Sequence, residues 1–282
     1  MSKELGVRVI VAVTTEATQE GAQRHGTTPT ATVALGRSLT AAALMGSLLR
    51  VQHRAALKFD GNGPLNKLIA ETDSYGRIRG YVAEPKTEVE RDEFGRIDVP
   101  AALGSGQLIV VKDMKRGDLV EGIVPLEVGD IGADFQHYLT KSEQTPSVVQ
   151  LDTLLDDEGN VSASGGILIQ ALGDTDRIII DELAERLEEF PPISQLLLSK
   201  RDPEEIITDL FAQDAHTILE TRDVRFVCGC SRERSEKALV SLGRDELASL
   251  VEEGQAIIDC HFCHKQYVFT KADLEELLAE SY

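Results

Sequence analysis

All four cysteines of this 282-residue chain lie in its last 55 residues, as Cys228-Gly-Cys230 and Cys260-His-Phe-Cys263. In an extended segment successive side chains alternate between two faces, so Cys228 and Cys230 point the same way. A two-residue spacer in a tight turn brings Cys260 and Cys263 together, which is the half-site spacing of structural zinc. The two pairs therefore predict one tetrahedral site that binds a single Zn²⁺ through Cys228, Cys230, Cys260 and Cys263.

Five other polar side chains lie close to these cysteines in the sequence. His261 and His264 flank Cys263 and are possible competing ligands. Because four thiolates already complete a tetrahedron, we expect both histidines to lie outside the coordination shell. Arg232, Arg234 and Lys237 follow the first pair; they either moderate the negative site or, as we expect, form the solvated side of a helix.

A metal at this position would hold its module together. A segment of 55 residues is below the size at which a core alone usually sustains a fold. Structural zinc contributes on the order of 10–16 kcal/mol of apparent binding energy in small peptides, and that energy is folding energy. Thiolate is also the form that oxidants attack. Spacing alone favours a passive structural zinc module, and an oxidation switch is the alternative.

The bulk composition describes a globular protein with a strong acidic balance. Hydrophobic residues make up 42% and charged residues 27% of the chain, and the net charge is −19. Such a charge repels phosphate backbones and argues against nucleic-acid binding. The apolar run from Val9 to Val13 is too short for a signal peptide or a membrane span, so we expect a cytoplasmic protein with reduced thiols.

The elements that must position the cysteines begin with a mixed α and β body. Thr28-Pro29 opens a long alanine-rich helix that extends to Leu48, with the threonine hydroxyl placed to cap it. This helix is apolar on more than one face, so we expect it to be buried against a sheet. Hairpin-like spacings favour an antiparallel or mixed sheet and the α+β class. The sequence predicts strands at 8–15, 55–59, 77–83, 107–112, 120–126, 147–153 and 164–172, and a short helix at 129–140.

A helical connector follows the body. From residue 178 to about residue 219 the pattern is amphipathic, and Pro191-Pro192 and Asp202-Pro203 divide it into short helices. Its apolar positions are Leu183, Leu187, Phe190, Leu196, Leu197, Ile206, Ile207, Leu210 and Phe211. Residues 224–227 resume as a strand that leads into Cys228. We therefore expect a body at 1–177, a linker at 178–223 and a zinc domain at 224–282.

Other candidate chemistry is weak. Gly104-Ser-Gly106 precedes a strand, whereas a dinucleotide-binding fingerprint follows a strand and opens a helix. Asp130, Asp134 and His137 share a helix face, but no nucleophile accompanies them, so we interpret them as solvated helix polarity. The sequence thus predicts a protein that is not an enzyme and does not use ATP.

The residues around the cysteines form the segments VRFVCGCSRER at 224–234, ALVSLG at 238–243 and CHFC at 260–263. These segments resemble the 33-kDa heat-shock protein family of redox-regulated bacterial chaperones. The body resembles the same family in the right order, at Lys112-Asp113, 122–129, YLTKSEQTPS at 138–147 and GGILIQ at 165–170. The resemblance covers essentially the whole chain and favours the switch over the passive module.

This resemblance implies a holdase without ATP that acts in oxidative and heat stress. The reduced form, with one Zn²⁺ per chain, would be folded and inactive. Oxidation would pair Cys228 with Cys230 and Cys260 with Cys263 and release zinc. The zinc domain and the linker would then lose structure, and active homodimers would bind unfolding client proteins. The acidic, proline-interrupted connector fits a segment of marginal stability.

Two rival functions remain open at this point. The first is a structural zinc module that binds a protein or nucleic-acid partner, and the acidic charge weighs against the nucleic-acid version. The second is a thiol–disulfide oxidoreductase. That activity requires a lone reactive pair at a helix N-terminus, without a second pair that completes a metal site.

Overall fold

The computed structural model describes residues 1–115, 117, 119–173, 175 and 177–280. The chain forms two compact units, Met1–Val227 and Cys228–Tyr282, which are described separately. The first unit contains nine strands and seven helices among the described residues. In chain order these are β1 (Val7–Val13), α1 (Thr15–His25), α2 (Pro29–Leu48), β2 (Arg54–Gly61), β3 (Lys67–Asp73), β4 (Arg77–Val82), α3 (Val99–Leu103), β5 (Gly106–Asp113), β6 (Leu119–Pro125), α4 (Ile131–Lys141), β7 (Ser147–Leu155), β8 (Val161–Ala171), α5 (Arg177–Glu189), α6 (Ile193–Leu198), α7 (Pro203–Phe211) and β9 (Arg225–Phe226).

Two sheets organise this unit. The larger sheet has the strand order β6-β5-β2-β3-β4-β9, and the smaller has the order β1-β8-β7. All pairings are antiparallel except that of β9, which pairs parallel to β4 through Arg225 and Phe226. The mixed, mainly antiparallel topology confirms the predicted α+β class.

Helix α2 contacts strands of both sheets. Its buried side chains occur all around the helix, and this is why the sequence is apolar on more than one face. Glycine permits close approach to both sheets, because a Cβ atom on Gly36 would lie 2.5 Å from Thr153 Oγ1 and one on Gly46 would lie 2.2 Å from Thr72 Oγ1. The Thr28 hydroxyl does not cap the helix as predicted; it donates to the carbonyl oxygens of Pro85 and Thr87.

The connector helices α5, α6 and α7 pack on the smaller sheet, on the side away from α2. Strand β8 is buried along almost its whole length because both of its faces are covered. One apolar cluster joins the two layers. Its buried members from the sheet are Val7, Val9, Ile167, Ile169 and Ala171, and those from the connector are Ile180, Leu183, Leu187, Ile193, Ile206, Leu210 and Phe211.

The second unit is small and has its own core. Its elements are α8 (Arg232–Ser241), α9 (Arg244–Glu253), β10 (Gln255–Asp259), β11 (Gln266–Thr270) and α10 (Lys271–Glu280). Strands β10 and β11 form an antiparallel hairpin. The core residues are Leu239, Leu247, Ala256, Tyr267, Phe269 and Leu274, with Cys230 packed against them.

Among the described residues, α2 alone has the length and composition of a membrane-spanning helix. Within its apolar stretch of 18 residues, 83% is buried inside the protein. A buried core helix can have the same length and composition as a membrane span. The packing of α2 against two sheets accounts for its hydropathy.

Candidate metal centre

The four cysteines lie at the ends of secondary-structure elements. Cys228 opens the second unit, and Cys230 directly precedes Ser231, the N-cap residue of α8, whose hydroxyl accepts from the Arg234 N–H at 3.3 Å. Cys260 follows β10, and Cys263 lies in the turn before β11. Serine is a favoured N-cap residue, so the first pair is fixed next to a helix start.

Backbone hydrogen bonds shape the turn that carries the second pair. The Cys260 N–H donates to the Lys265 carbonyl at 3.1 Å and continues the pairing of the β10–β11 hairpin. Within the turn, the N–H groups of Cys263 and His264 donate to the Cys260 carbonyl at 3.3 and 2.8 Å. His264 has a φ of 54°, in the left-handed region, which closes the turn. The tight turn predicted from the two-residue spacer is present.

The Sγ atoms of all four cysteines lie within 4.8 Å of one another. The Cys228 and Cys260 sulfurs are 3.5 Å apart, and the Cys230 and Cys263 sulfurs are 3.4 Å apart. These four side chains could together hold a metal ion. His261 and His264 do not belong to this group of potential ligands within the described part of the chain.

The immediate surroundings of the sulfurs differ. The Tyr267 hydroxyl donates to Cys230 Sγ at 3.1 Å. Burial opposes ionisation of Cys230, but hydrogen bonds from Tyr267 and Cys263 lower the pKa of its thiol to about 7. Burial raises the pKa of Cys263 to about 12 and also raises the pKa of Cys260. The hydrogen bond to Cys230 is the largest cause that raises the pKa of Tyr267, to about 12.

Two arginines near the first pair make specific contacts; Arg234 is nevertheless exposed, as we expect, whereas Arg232 is half-buried. The Arg232 guanidinium lies 4.3 Å from the centre of the Phe269 ring, donates to the Val268 carbonyl at 2.7 Å and pairs with Asp273 at 3.0 Å. Arg234 donates to the Gly229 carbonyl at 2.7 Å. Both side chains therefore tie α8 to other parts of the module. Lys237 is exposed, as predicted.

The polar residues of α4 also differ from the expectation of solvated helix polarity. Asp130 is the N-cap residue and accepts from the N–H groups of Gly132 and Ala133. Asp134 is fully buried and accepts from the Glu127 N–H at 2.8 Å. Burial raises the pKa of this carboxyl group. Both aspartates thus hold the local backbone, which is a structural role.

Sequence reasoning did not identify Tyr267 or the polar residues that fix the connector. Tyr267 lies in a strand, four residues after Cys263. This short separation is the one sequence feature that could have indicated a position near the cysteine cluster. On the body, Gln150 accepts from the Ile193 N–H at 2.9 Å, and Asp152 accepts from the Ser194 hydroxyl. Nothing local in the sequence links β7 to a helix some 40 residues later.

The fold and the cysteine cluster together define an α+β protein with a candidate metal-binding module. The sequence profile of the Hsp33 protein family matches residues 1–270. The chain therefore belongs to the Hsp33 family, and the resemblance seen in the sequence is confirmed.

Individual relatives agree with this assignment. A 33 kDa chaperonin of Geobacter sp. (strain M21) is 44% identical over 282 residues, covering 99% of this chain and 95% of the relative. The 33 kDa chaperonin of Bacillus subtilis (strain 168) is 40% identical over 273 residues, covering 96% and 94%. The crystal structure of the 33 kDa chaperonin from Thermotoga maritima matches with a TM-score of 0.90 and 33% identity, over 98% of this chain and 94% of that chain. The family is one of chaperones and not of enzymes.

Proposed function

We propose that this protein is a redox-regulated holdase chaperone that works without ATP. Membership of a chaperone family supports the binding of unfolded clients. The observation that carries the regulatory part is the convergence of four thiols, from two sequence-distant pairs, to within 4.8 Å. The reduced form is inactive, and oxidation activates it.

The cysteine cluster fits a single zinc ion. A tetrahedron with Zn–S distances of about 2.3 Å has sulfurs about 3.8 Å apart. The cluster has this scale, and four thiolates are a donor set that zinc prefers. Cys228, Cys230, Cys260 and Cys263 would be the ligands, with one ion per chain. When bound, the metal supplies the folding energy that a module of this size lacks.

The oxidation step involves only these cysteines and an oxidant of the peroxide class. One thiolate attacks peroxide and becomes a sulfenic acid, and a second thiolate displaces hydroxide to form a disulfide. Formation of each disulfide transfers two electrons from two thiolates to one peroxide, and the two hydroxides released take up two protons to become water. We propose the pairs Cys228–Cys230 and Cys260–Cys263. The sulfur–sulfur distances of 3.5 and 3.4 Å join Cys228 with Cys260 and Cys230 with Cys263, across the proposed pairs, so peptide mapping of the oxidised protein must test the pairing.

Loss of the metal and of its ligand thiolates then unfolds the module. The segment between the last connector helix and the module is held by isolated contacts, such as those of Thr217 with Met1 and of Arg222 with the Ser74 carbonyl, and not by long strand pairing. Strand β9 has two residues, with backbone bonds from Arg225 to Gly76 and from Val227 to Ile78. Residues 212–224 contain no helix or strand. We propose that unfolding of the module spreads through this segment to the connector.

Release of the connector would expose apolar surface on the smaller sheet and on the connector itself. The smaller sheet would present Val7, Val9, Ile167 and Ile169, and the connector would present its own buried face. Exposed apolar patches of this kind bind unfolded polypeptides. Residues 179–227 carry twelve acidic and five basic side chains, which would keep a client complex soluble. In this proposal residues 1–177 bind clients, 178–223 form the metastable linker and 224–282 form the switch.

The oxidised protein acts as a homodimer on unfolding or oxidatively damaged proteins, in the cytoplasm and under oxidative and heat stress. It needs no nucleotide, membrane or nucleic acid. A passive structural zinc module that binds a partner is the alternative.

The deciding experiment compares reduced, zinc-loaded protein with peroxide-treated protein. Light scattering follows aggregation of a chemically unfolded client, and a chromogenic chelator follows zinc release. The proposal expects suppression of aggregation only after zinc loss. Stoichiometric zinc loss without suppression of client aggregation would favour the passive structural zinc module. Equal suppression of aggregation by the reduced and the oxidised protein would contradict redox regulation.

A further inference from the structure

The Tyr267 hydroxyl donates a hydrogen bond to one sulfur of the cysteine cluster, that of Cys230, at 3.1 Å. We propose that Tyr267 is a positioning residue that slows the attack of Cys230 on peroxide and so sets the oxidant threshold of the cluster. This inference rests on the proposed zinc-bound redox switch. It assigns a regulatory role to a side chain that is not itself a metal ligand.

The tyrosine is held firmly in the position from which it donates. It lies on the inner face of β11, two residues before the fully buried Phe269, and is itself only 7% exposed. Its ring belongs to the core of the module, against which Cys230 also packs. A buried ring has little rotamer freedom, so the hydroxyl remains directed at the sulfur.

A second side chain supports the donor. The Lys265 ammonium group lies 5.2 Å from the centre of the Tyr267 ring. A cation at this distance is attracted to the ring face and withdraws electron density from the ring. The phenol O–H is therefore a better donor to an electron-rich sulfur.

The hydrogen bond acts on the reacting electron pair. In oxidation, a sulfur lone pair attacks one peroxide oxygen, the O–O bond breaks, and hydroxide leaves with the second oxygen. A sulfur that accepts a hydrogen bond offers a less available lone pair, and thiolate nucleophilicity falls with basicity. If the thiolate is already formed, as it would be with zinc bound, this loss of nucleophilicity lowers the rate at which Cys230 reacts with peroxide.

Cys230 differs from Cys260 and Cys263 in the kind of group that acts on its sulfur. The groups that act on the Cys260 and Cys263 sulfurs include the backbone N–H groups of Phe262, Cys263 and Lys265. These N–H groups belong to the backbone of the turn, so they remain when a side chain is replaced. At Cys230, by contrast, the Tyr267 hydroxyl is a donor from a side chain that is not a cysteine, so the single change Tyr267→Phe removes that bond and leaves the ring in place.

The test measures zinc release from reduced, zinc-loaded full-length protein over a series of hydrogen peroxide concentrations. The slope of the observed rate against peroxide concentration reports the reaction with oxidant, and the intercept reports spontaneous zinc loss. We expect Tyr267→Phe to increase the slope by about threefold or more, equivalent to about 0.7 kcal/mol of barrier. The intercept should change much less, because the ring still fills the core.

Phe269→Leu is the matched control, since it loosens the same core but keeps the Tyr267 hydroxyl that donates to Cys230. It should raise the intercept and leave the slope unchanged. An unchanged or reduced slope for Tyr267→Phe would overturn the inference, as would an increase confined to the intercept. Wild-type protein that binds no zinc, or retains it in peroxide, would instead refute the proposed switch, so the two failures are distinguishable.

Discussion

The backbone N–H of Ile193 donates to the side-chain oxygen of Gln150 at 2.9 Å and fixes the start of α6 on β7. Next to it, the Ser194 hydroxyl donates to Asp152, which in turn lies 3.8 Å from Arg37 on α2. Arg37 also pairs with Asp130, the N-cap residue of α4, at 3.0 Å. The connector is therefore attached to the body by directional polar bonds as well as by apolar packing.

Ser194→Ala removes one of these bonds without changing the apolar contacts. A hydrogen bond to a charged group is worth about 1.5–3 kcal/mol, so docking of α6 should weaken by roughly that amount or less. We expect faster amide hydrogen exchange in 193–211 of the reduced, zinc-loaded protein. Ser199→Ala is the control, because Ser199 is exposed and its hydroxyl donates to Gln195 of the same helix. Equal exchange in the two variants would contradict the polar attachment.

Leu210→Ala tests the apolar part of the docking. Leu210 is fully buried between α7 and the smaller sheet, and such truncations cost about 2–5 kcal/mol. We expect the reduced variant to suppress client aggregation measurably, before any zinc is released, in the light-scattering assay. Leu198→Ala should behave like wild type, since Leu198 is 49% exposed. A reduced Leu210→Ala protein that binds no client would show that the covered surface is not the client site.

Cys260→Ser tests the metal assignment. A serine hydroxyl is a poor zinc ligand, so this variant should lose zinc and its module should become sensitive to protease under reducing conditions. The readouts are the zinc content and the cleavage sites within 228–282. His261→Ala should keep one zinc per chain, because we place that histidine outside the ligand set. Retention of stoichiometric zinc and of protease resistance by Cys260→Ser would refute a four-thiolate site.

Asp134 predicts a pH dependence of stability. Burial raises the pKa of its carboxyl group, and its Oδ2 atom has no hydrogen-bond partner among the residues that the structure describes. The folded state therefore favours the protonated form, so this group's contribution to stability is present at low pH. That contribution is lost as pH rises from the unfolded pKa of about 3.9 through the raised folded pKa. The unfolding free energy of wild type relative to Asp134→Asn, measured with urea, should fall as pH increases.

Asp113→Asn supplies a control of opposite sign for that measurement. The hydrogen bond from the Lys115 side chain is the largest cause that lowers the pKa of Asp113. Its contribution is present above the unfolded pKa and is lost as pH falls through the folded pKa. The free energy of unfolding of wild type relative to Asp113→Asn should therefore increase with pH. If the difference in unfolding free energy between wild type and Asp134→Asn does not change with pH, the pKa of Asp134 is not raised.

Local sequence signals predicted much of the fold. Proline pairs placed the breaks in the connector correctly, since α5 ends at Glu189, before Pro191-Pro192, and α7 begins at Pro203. Helix α1 was missed because it buries small and polar side chains, such as Ala17, Thr18 and Gly21, and so lacks an apolar stripe. Strand β3 and helix α3 were also missed. The connector was expected to stay helical to about residue 219, but its last helix ends at Phe211.

The sequence by itself determined that four cysteines form two pairs in a small module, because chelate spacing depends only on neighbours along the chain. It also determined that the connector is amphipathic and interrupted. The tertiary structure alone decided that Tyr267 donates to Cys230, that Asp134 is buried, and that β8 is covered on both faces. Those facts depend on contacts between residues far apart in the chain, and periodicity within one segment carries no information about the partner across the core.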